Sequence, residues 1–318
     1  MFYPFLGTCE ALSFSPGGEF VLATVACAMS RETIIFDAKG VRHGCFEHTE
    51  PAATFAWAPD GHHIAAVNGS LDCIEIRDVR DGSSYALELP PLEDWDLSDI
   101  SSMSWGKTGL AVCCYSYEGY VTRVLPLKEK RKGNKLVYRA GPDIRKKKEV
   151  RLFGWFGSYL LLLQQEDLLV ATPRLEVLGK RSFDYSYTPW QYAIHAQKRK
   201  LAIVRNQRVE LFSLSREGIK KRAVYEPEPE YRKKGARGYS SDFVSWSPDG
   251  KFIATCFGKD QSPHIYVWEV ESGRTMAVIE SHDRITSLSL GSALGWGGEG
   301  YVRIEESFLQ DDKESSCL

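Results

Sequence analysis

The feature that most constrains the fold is a stretch of three apolar runs separated by two turns, residues 243–270, which recurs along the chain. Its first turn, Ser247-Pro248-Asp249-Gly250, combines residues that fix or permit the backbone angles of a tight turn. The run after that turn, residues 252–257, is largely apolar at both parities. A strand with one solvent face alternates apolar and polar residues, so this run predicts a strand covered on both faces. We therefore expect a short antiparallel meander that is buried on both sides.

Six further copies of this pattern fill most of the chain. The first apolar run of each copy ends in a bulky residue, and the seven residues are Phe14, Trp57, Trp105, Trp155, His195, Trp246 and Leu288. A period of about 40–50 residues with several strands per unit is typical of a β-propeller built from four-stranded blades. One blade cannot bury its own faces, so neighbouring blades must stack and the ring must close. The sequence thus predicts an all-β, seven-bladed propeller of four-stranded antiparallel blades.

The two ends of the chain complete this domain prediction. Residues 2–6 are mostly apolar and precede the first copy, so we expect them to supply the outer strand of the last blade. Such a strand closes the ring and removes an exposed sheet edge. We expect residues 1–309 to form a single propeller domain. Residues 310–318 are charged and small, which predicts a disordered C-terminal tail.

Short motifs in the repeats resemble a known family. Ser-Pro-Asp-Gly at 247–250, Tyr-Val-Trp-Glu at 266–269, Ser272-Gly273 and Ser281-His282-Asp283 are similar to the consensus of WD-repeat β-propellers. The resemblance spans about the whole chain and is strong in the second and sixth copies, with Trp268-Glu269 in place of the Trp-Asp pair. It implies a scaffold or adaptor that mediates protein–protein interactions within a multi-protein complex, because docking of partner proteins is the commonest role in that family.

Motifs that carry chemistry in other proteins lack their required context here. The run 295–300 matches G-x-G-x-x-G, but a strand-like segment follows it instead of the helix that a dinucleotide site needs. His62-His63 has no cysteine or carboxylate at ligand spacing, so we expect a solvated pair in a turn. The acidic run 93–99 lacks the pattern of a calcium loop. We therefore expect no catalytic, cofactor-binding or metal-binding residues, no cofactor, and no enzymatic activity.

Cysteine usage and hydropathy bear on the compartment. The eight cysteines form no C-x-x-C pair and mostly lie in apolar runs, which favours buried free thiols in a reducing compartment. The first residues lack the pattern of a secretory signal, and no apolar run reaches the length of a membrane span. We expect a cytoplasmic and/or nuclear protein with no membrane partner.

The formal net charge of -2 hides a strong asymmetry. Residues 128–237 contain 27 Lys/Arg and 12 Asp/Glu, whereas the rest of the chain contains 13 and 30. The surplus centres on two predicted loops, 128–151 between blades 3 and 4 and 216–237 between blades 5 and 6. The candidate interaction patch comprises Lys128, Lys130, Arg131, Lys132, Arg145, Lys146, Lys147, Lys148, Lys220, Lys221, Arg222, Tyr231, Arg232, Lys233 and Lys234.

Two interpretations of these basic loops stay open. They are either mobile, solvated connections or a docking patch for acidic or phosphate-rich partners, since long loops on a rigid scaffold often carry function. The leading functional hypothesis remains a non-enzymatic scaffold whose partners are other proteins. The alternative is a propeller that binds nucleic acid or ribonucleoprotein through the two basic loops.

Overall fold

The computed structural model describes residues 2–27, 31–37, 39–48, 54–67, 74–87, 99–116, 119–132, 135–141, 145–183, 191–205, 208–227, 243–257, 263–281, 284–291 and 293–305. These residues form 27 strands arranged as a seven-bladed propeller. Within these ranges there is no helix that could cross a membrane. The predicted all-β fold is confirmed. The predicted tail, 310–318, lies outside the described residues.

Each blade is an antiparallel meander, and we letter its strands a to d from the ring centre outward. In blade 1 these are the C-terminal half of β1 (Phe2–Phe14), β2 (Phe20–Ala26), β3 (Arg31–Asp37) and β4 (Arg42–His48). In blade 2 they are β5 (Phe55–Trp57), β6 (His63–Val67), β7 (Ile74–Asp78) and β8 (Ser84–Ala86). Strands a and b, and also c and d, are joined at one end of the ring, which we call the c–d end. Strands b and c are joined at the opposite b–c end.

Blade 3 contains an extra strand. Its elements are β9 (Asp99–Gly106), β10 (Gly109–Ser116), β11 (Gly119–Lys132), β12 (Lys135–Ala140) and β13 (Arg145–Lys148). The first part of β11 is strand c, and β13 pairs with it as strand d. The second part of β11 pairs with β12 over Leu127–Lys132 and Lys135–Ala140. We call this two-stranded extension the ribbon.

Blades 4 to 6 follow the chain order directly. Blade 4 contains β14 (Arg151–Phe156), β15 (Tyr159–Gln164), β16 (Asp167–Ala171) and β17 (Val177–Ser182). Blade 5 contains β18 (Gln191–His195), β19 (Lys200–Arg205), β20 (Arg208–Ser215) and β21 (Gly218–Tyr225). Blade 6 contains β22 (Phe243–Trp246), β23 (Phe252–Phe257), β24 (His264–Glu269) and β25 (Thr275–Glu280).

Blade 7 closes the ring with both ends of the described chain. β26 (Ser287–Leu290) is strand a, and β27 (Leu294–Glu305) supplies strands b and c. β27 folds back on itself, as the contact between its two halves shows: the Arg303 guanidinium lies over the Trp296 ring, 5.2 Å from the ring centroid. The N-terminal half of β1 pairs with β27 at Phe2–Arg303 and Tyr3–Val302. The prediction that the N-terminal strand closes the ring is confirmed.

The core is divided into seven clusters, one between each pair of adjacent blades. Strand b is buried on both faces in several blades, as in β6 and β23, which explains why its residues are apolar at both parities. The cluster between blades 7 and 1 joins Phe14 and Val21 to Val302 and Ile304. Because every interface is apolar, each blade depends on both neighbours for burial.

The four tryptophans among the bulky residues of the repeat lie between blades. Trp57, Trp105, Trp155 and Trp246 all lie at or one residue before the end of strand a and pack on the preceding blade. Two of the indoles add a hydrogen bond across the interface: Trp155 Nε1 donates to the Ser104 carbonyl at 3.0 Å, and Trp246 Nε1 donates to the Ala193 carbonyl at 2.9 Å. Trp57 is half-buried, whereas the other three are buried.

The predicted register of blade 7 is wrong by two residues. Serines directly before the tryptophan of strand a accept a backbone N–H from the next blade: Ser104 from Trp155 at 3.2 Å, and Ser245 from Leu290 at 2.9 Å. Leu290, and not the predicted Leu288, is therefore equivalent to the tryptophans. A shift of two residues keeps the same face of the strand, so the apolar pattern alone could not distinguish the two registers.

Candidate interaction surfaces

The first basic stretch is not the loop between blades 3 and 4 that the sequence predicts. Residues 128–132 and 135–140 form the ribbon within blade 3, and Arg145–Lys148 form its outer strand. The ribbon occupies the place of the turn between strands c and d, so it leaves the ring at the c–d end. The exposed side chains of Lys128 and Arg139 lie opposite each other on it. The prediction was wrong because the second part of β11 and all of β13 consist mostly of basic residues, so their sequences resemble a solvated loop.

Tyr138 anchors the ribbon to blade 2. The Tyr138 side chain is buried, its hydroxyl donates to Asp60 Oδ2 at 3.0 Å, and its backbone N–H donates to the Tyr85 hydroxyl at 2.6 Å. The Tyr138 ring meets the rings of His63 and Trp105 edge to face, at centroid distances of 5.4 and 4.8 Å. One side chain of blade 3 thereby completes a polar network in blade 2.

The centre of that network is a buried histidine between two carboxylates. His63 is 2% exposed, its Nδ1 lies 2.7 Å from Asp60 Oδ2, and its Nε2 lies 3.7 Å from Asp78 Oδ2. Burial alone would raise the pKa of the Asp60 carboxyl, but hydrogen bonds from His63 and from the backbone of His62 hold that pKa well below its ordinary value. Burial would likewise raise the pKa of Asp78, but hydrogen bonds from Arg80 and its positive charge lower that pKa below its ordinary value.

This geometry corrects the expectation of a solvated His62-His63 pair, because His63 is one of the buried polar residues. Asp60 in the preceding turn supplies a hydrogen-bond partner, and Tyr138 covers the imidazole from a strand 75 positions away in the chain. Among the residues that the structure describes, no group of three or more His, Cys, Asp and Glu side chains could hold a metal ion. The acidic run 93–99 lies almost wholly outside the described ranges.

The second basic stretch is also partly a strand. Lys220, Lys221 and Arg222 lie on β21, the outer strand of blade 5, with exposed side chains. Lys221 Nζ lies 2.8 Å from Oε1 of Glu210, a buried carboxylate, and Arg222 Nε donates to Ser213 Oγ at 2.8 Å. Lys221 and Arg222 therefore form contacts between strands β20 and β21 of blade 5. Tyr231, Arg232, Lys233 and Lys234 lie outside the described residues.

The described members of the candidate patch do not form one surface. The ribbon and β13 belong to blade 3, whereas β21 belongs to blade 5, and blade 4 lies between them. β13 pairs with β11 from Val121–Lys148 to Val124–Arg145, so Arg145–Lys148 run along the outer edge of the ring. The ribbon is the part of the patch that extends beyond the blades.

Sequence reasoning missed an aromatic patch at the b–c end, which we call the Tyr–Arg patch: Tyr115, Tyr120, Arg151, Phe153 and Tyr192. The Arg151 guanidinium lies 4.1 Å from the Tyr120 ring centroid, and the Tyr115 and Tyr120 rings are 5.0 Å apart. Phe153 stacks on Tyr192 at 3.8 Å. Burial raises the pKa of Tyr192 to about 12, although the Arg151 cation opposes the shift. Tyr115 is 47% exposed.

The motif at 295–300 forms part of the blade. These residues lie within β27, whose two halves pair with β26 and with β1. No helix begins after Gly300, so the helix N-terminus that a dinucleotide phosphate would meet is absent from this described part of the chain. The six described cysteines carry free thiols, and Cys9, Cys113, Cys114 and Cys256 are buried.

No family model and no curated protein matches the chain. Among solved structures, the β-propeller domain of Cps50 (Swd1) from Myceliophteria thermophila is 13% identical over 96% of this chain and 99% of its own, with a TM-score of 0.63. A chain of a mitotic checkpoint complex is 14% identical over 96% and 93%, with a TM-score of 0.64. The hydrazine synthase of Kuenenia stuttgartiensis is 12% identical over 95% and 97%, with a TM-score of 0.63. These likenesses show a shared propeller fold.

Proposed function

We propose that this chain is a non-enzymatic, WD-repeat-like adaptor that holds partner proteins within a multi-protein complex in the cytoplasm and/or the nucleus. The observation that carries the proposal is the Tyr–Arg patch at the b–c end. Tyrosine and arginine are enriched among the residues that dominate binding energy at protein interfaces. Here Arg151, Phe153 and Tyr192 are on strands of the innermost layer, and Tyr115 and Tyr120 flank an adjacent b–c connection, so the patch is held by a rigid scaffold.

The similar structures support this proposal only through the fold. One of them is part of a mitotic checkpoint complex, so a propeller of this shape can serve in a multi-protein assembly. Another is a hydrazine synthase, so the same shape also occurs in an enzyme. The adaptor proposal therefore depends on the patch and not on the likeness.

The test compares partner recovery between matched variants. Tagged protein is recovered from cells at moderate salt, and bound proteins are quantified for wild type and for a Tyr115→Ala, Arg151→Ala variant. The control is Val177→Ala with Met276→Ala, which truncates side chains of 44% and 42% exposure on outer strands. We expect the partners of the wild type to fall about tenfold or more with the patch variant and to persist with the control.

Equal recovery by wild type and patch variant would contradict docking at the Tyr–Arg patch. Recovery of no specific partner, together with turnover of a small substrate by the pure protein, would contradict the adaptor function itself. Thermal melts of both variants establish that any loss of partners is not a loss of fold. A second candidate function, nucleic-acid binding, is favoured by the ribbon and is independent of the patch.

A further inference from the structure

The ribbon has a basic face and a packing face. Its pairing register sets Lys128 opposite Arg139, Lys130 opposite Val137, and Lys132 opposite Lys135. Directly opposed residues share a face, and strand residues alternate between faces, so five cationic residues occupy positions of one parity. Of these, Lys128 and Arg139 have exposed side chains in the structure.

The positions of the opposite parity form the face that anchors the ribbon to blade 2. Leu127, Tyr138 and Ala140 pack against the apolar cluster between blades 2 and 3, and Tyr138 is buried there. Because this face of the ribbon is fixed to blade 2, the opposite face, which carries the exposed Lys128 and Arg139, is not covered by that contact. A ribbon whose backbone is already paired and anchored loses less conformational entropy when a partner binds.

The dimensions of the basic face suit a repeating polyanion. The ribbon is six residue pairs long, and with about 3.4 Å per residue its length is about 20 Å. Alternate lysines on one strand are about 7 Å apart, and the two strands are about 5 Å apart. The major groove of a DNA duplex is about 12 Å wide and admits a two-stranded β-ribbon, and its walls carry one negative charge per about 1.7 Å of axis.

We infer that the β11–β12 ribbon binds the phosphate backbone of a nucleic-acid duplex through Lys128, Lys130, Lys132, Lys135 and Arg139. Lysine is depleted in the cores of protein–protein interfaces, whereas lysine and arginine are the residues that neutralise phosphates. A membrane-binding surface combines cations with large apolar or aromatic residues, but the positions of this parity include one apolar residue, Val137. The register therefore favours nucleic acid over an acidic protein or a lipid surface.

The experiment measures how the affinity of the full chain for a short, fluorescein-labelled DNA duplex depends on salt, using fluorescence anisotropy between about 50 and 200 mM salt. The ribbon variant replaces the five cationic residues of the basic face with alanine. The control variant removes the same charge from exposed cations of turns at the same c–d end. These control residues are Lys107, Lys198, Arg216, Lys251 and Arg274. Thermal melts verify that both variants remain folded.

We expect the wild type to bind the duplex with a steep salt dependence. The slope of log affinity against log salt should become shallower by up to about 4.5 in the ribbon variant, at about 0.9 for each phosphate that the protein no longer neutralises. The control variant should keep most of the slope of the wild type. A duplex RNA in the same assay shows whether the ribbon prefers one helix form.

Three results would overturn the inference. The first is no duplex binding by the wild type at the lowest salt. The second is an equal loss of slope in the control variant, which would indicate attraction by overall charge. The third is ribbon-dependent binding to polyglutamate or to anionic phospholipid vesicles without duplex binding, which would assign the ribbon to an acidic protein or a membrane. None of these results bears on the Tyr–Arg patch, so a failure here is distinct from a failure of the adaptor proposal.

Discussion

The anchoring role of Tyr138 leads to a measurable prediction for Tyr138→Phe. This change removes the hydroxyl that donates to Asp60 Oδ2 at 3.0 Å but keeps the ring against His63 and Trp105. Asp60 retains the His63 contact at 2.7 Å and two backbone N–H donors, so its carboxylate stays satisfied. The variant thus isolates one hydrogen bond between the ribbon and blade 2.

The size of the effect follows from that bond. A hydrogen bond to a charged group contributes about 1.5–3 kcal/mol, and the remaining donors on Asp60 place this one at the lower limit or somewhat below it, at about 1–2 kcal/mol. If the ribbon opens locally, this loss raises the open population about 5- to 30-fold. Because the chain is large, the same loss lowers the melting temperature by only about 1.5–3 °C.

Limited trypsin digestion reads out the opening, because the ribbon has six potential cleavage sites between Lys128 and Arg139. Under native conditions and fast reclosing, the cleavage rate follows the open population. We expect cleavage within the ribbon of Tyr138→Phe to accelerate about 5- to 30-fold, and we expect the cleavage rate at sites outside the ribbon to change much less. Tyr159→Phe, in blade 4, is the matched control. Unchanged ribbon cleavage in Tyr138→Phe would refute the anchoring role of the hydroxyl.

Three further predictions concern the ring. Trp155→Ala should lower the free energy of unfolding by about 3–5 kcal/mol because it leaves a cavity, and should lower the melting temperature by roughly 5–8 °C. Trp155→Phe should lower both much less. Equal melting of wild type and the alanine variant would contradict the packing of Trp155 between blades 3 and 4. Gly291→Ala would add a Cβ that overlaps the ring of Phe14 at the closing interface, so it should destabilise the ring of blades by about 1–3 kcal/mol in urea unfolding. Gly44→Ala, where an added Cβ meets nothing within 4 Å, should not, and similar losses from both would argue against a close contact at the closure. Because the pKa of Asp60 is depressed in the folded protein, the stability advantage of wild type over Asp60→Asn should shrink as the pH falls through and below the ordinary value of 3.8; an advantage that grows over that acid range would have the wrong sign.

The sequence predicted the ring well because its determinants repeat. Each blade contains a turn after a bulky residue and a strand that is apolar at both parities. Because seven copies share this pattern, the copies with weak motifs could be recognised by comparison with the strong ones. The closing strand was predictable for a different reason, since residues 2–6 had no other place in the repeat. The two-residue error at Leu290 arose where the apolar pattern is symmetric and where the hydrogen bond from Leu290 to Ser245 decides the register.

The ribbon and the Tyr–Arg patch depend on contacts that a linear pattern does not encode. Tyr138 and Asp60 are 78 residues apart, and Phe153 and Tyr192 are 39 apart. A local signal for the ribbon did exist in the sequence, because the apolar run Leu136-Val137-Tyr138 closely follows Gly133-Asn134, a dipeptide typical of hairpin turns. The surrounding lysines concealed it, since alternate charges on an edge ribbon and charges in a solvated loop have similar composition.

The positive surplus of residues 128–237 includes both cations that pair with blade carboxylates and cations on the ribbon. Lys221 and Arg208 share the buried Glu210, and Lys180 pairs with Asp167, so part of the surplus stabilises blades 4 and 5. The ribbon has one acidic residue, Glu129, among seven charged ones, and it leaves the ring at the end opposite the Tyr–Arg patch. Strands of about six residues separate those ends by about 20 Å. A protein docked at the b–c end and a duplex on the ribbon would therefore not compete for one surface, and occupancy of one site should leave the affinity of the other unchanged unless the two partners themselves touch.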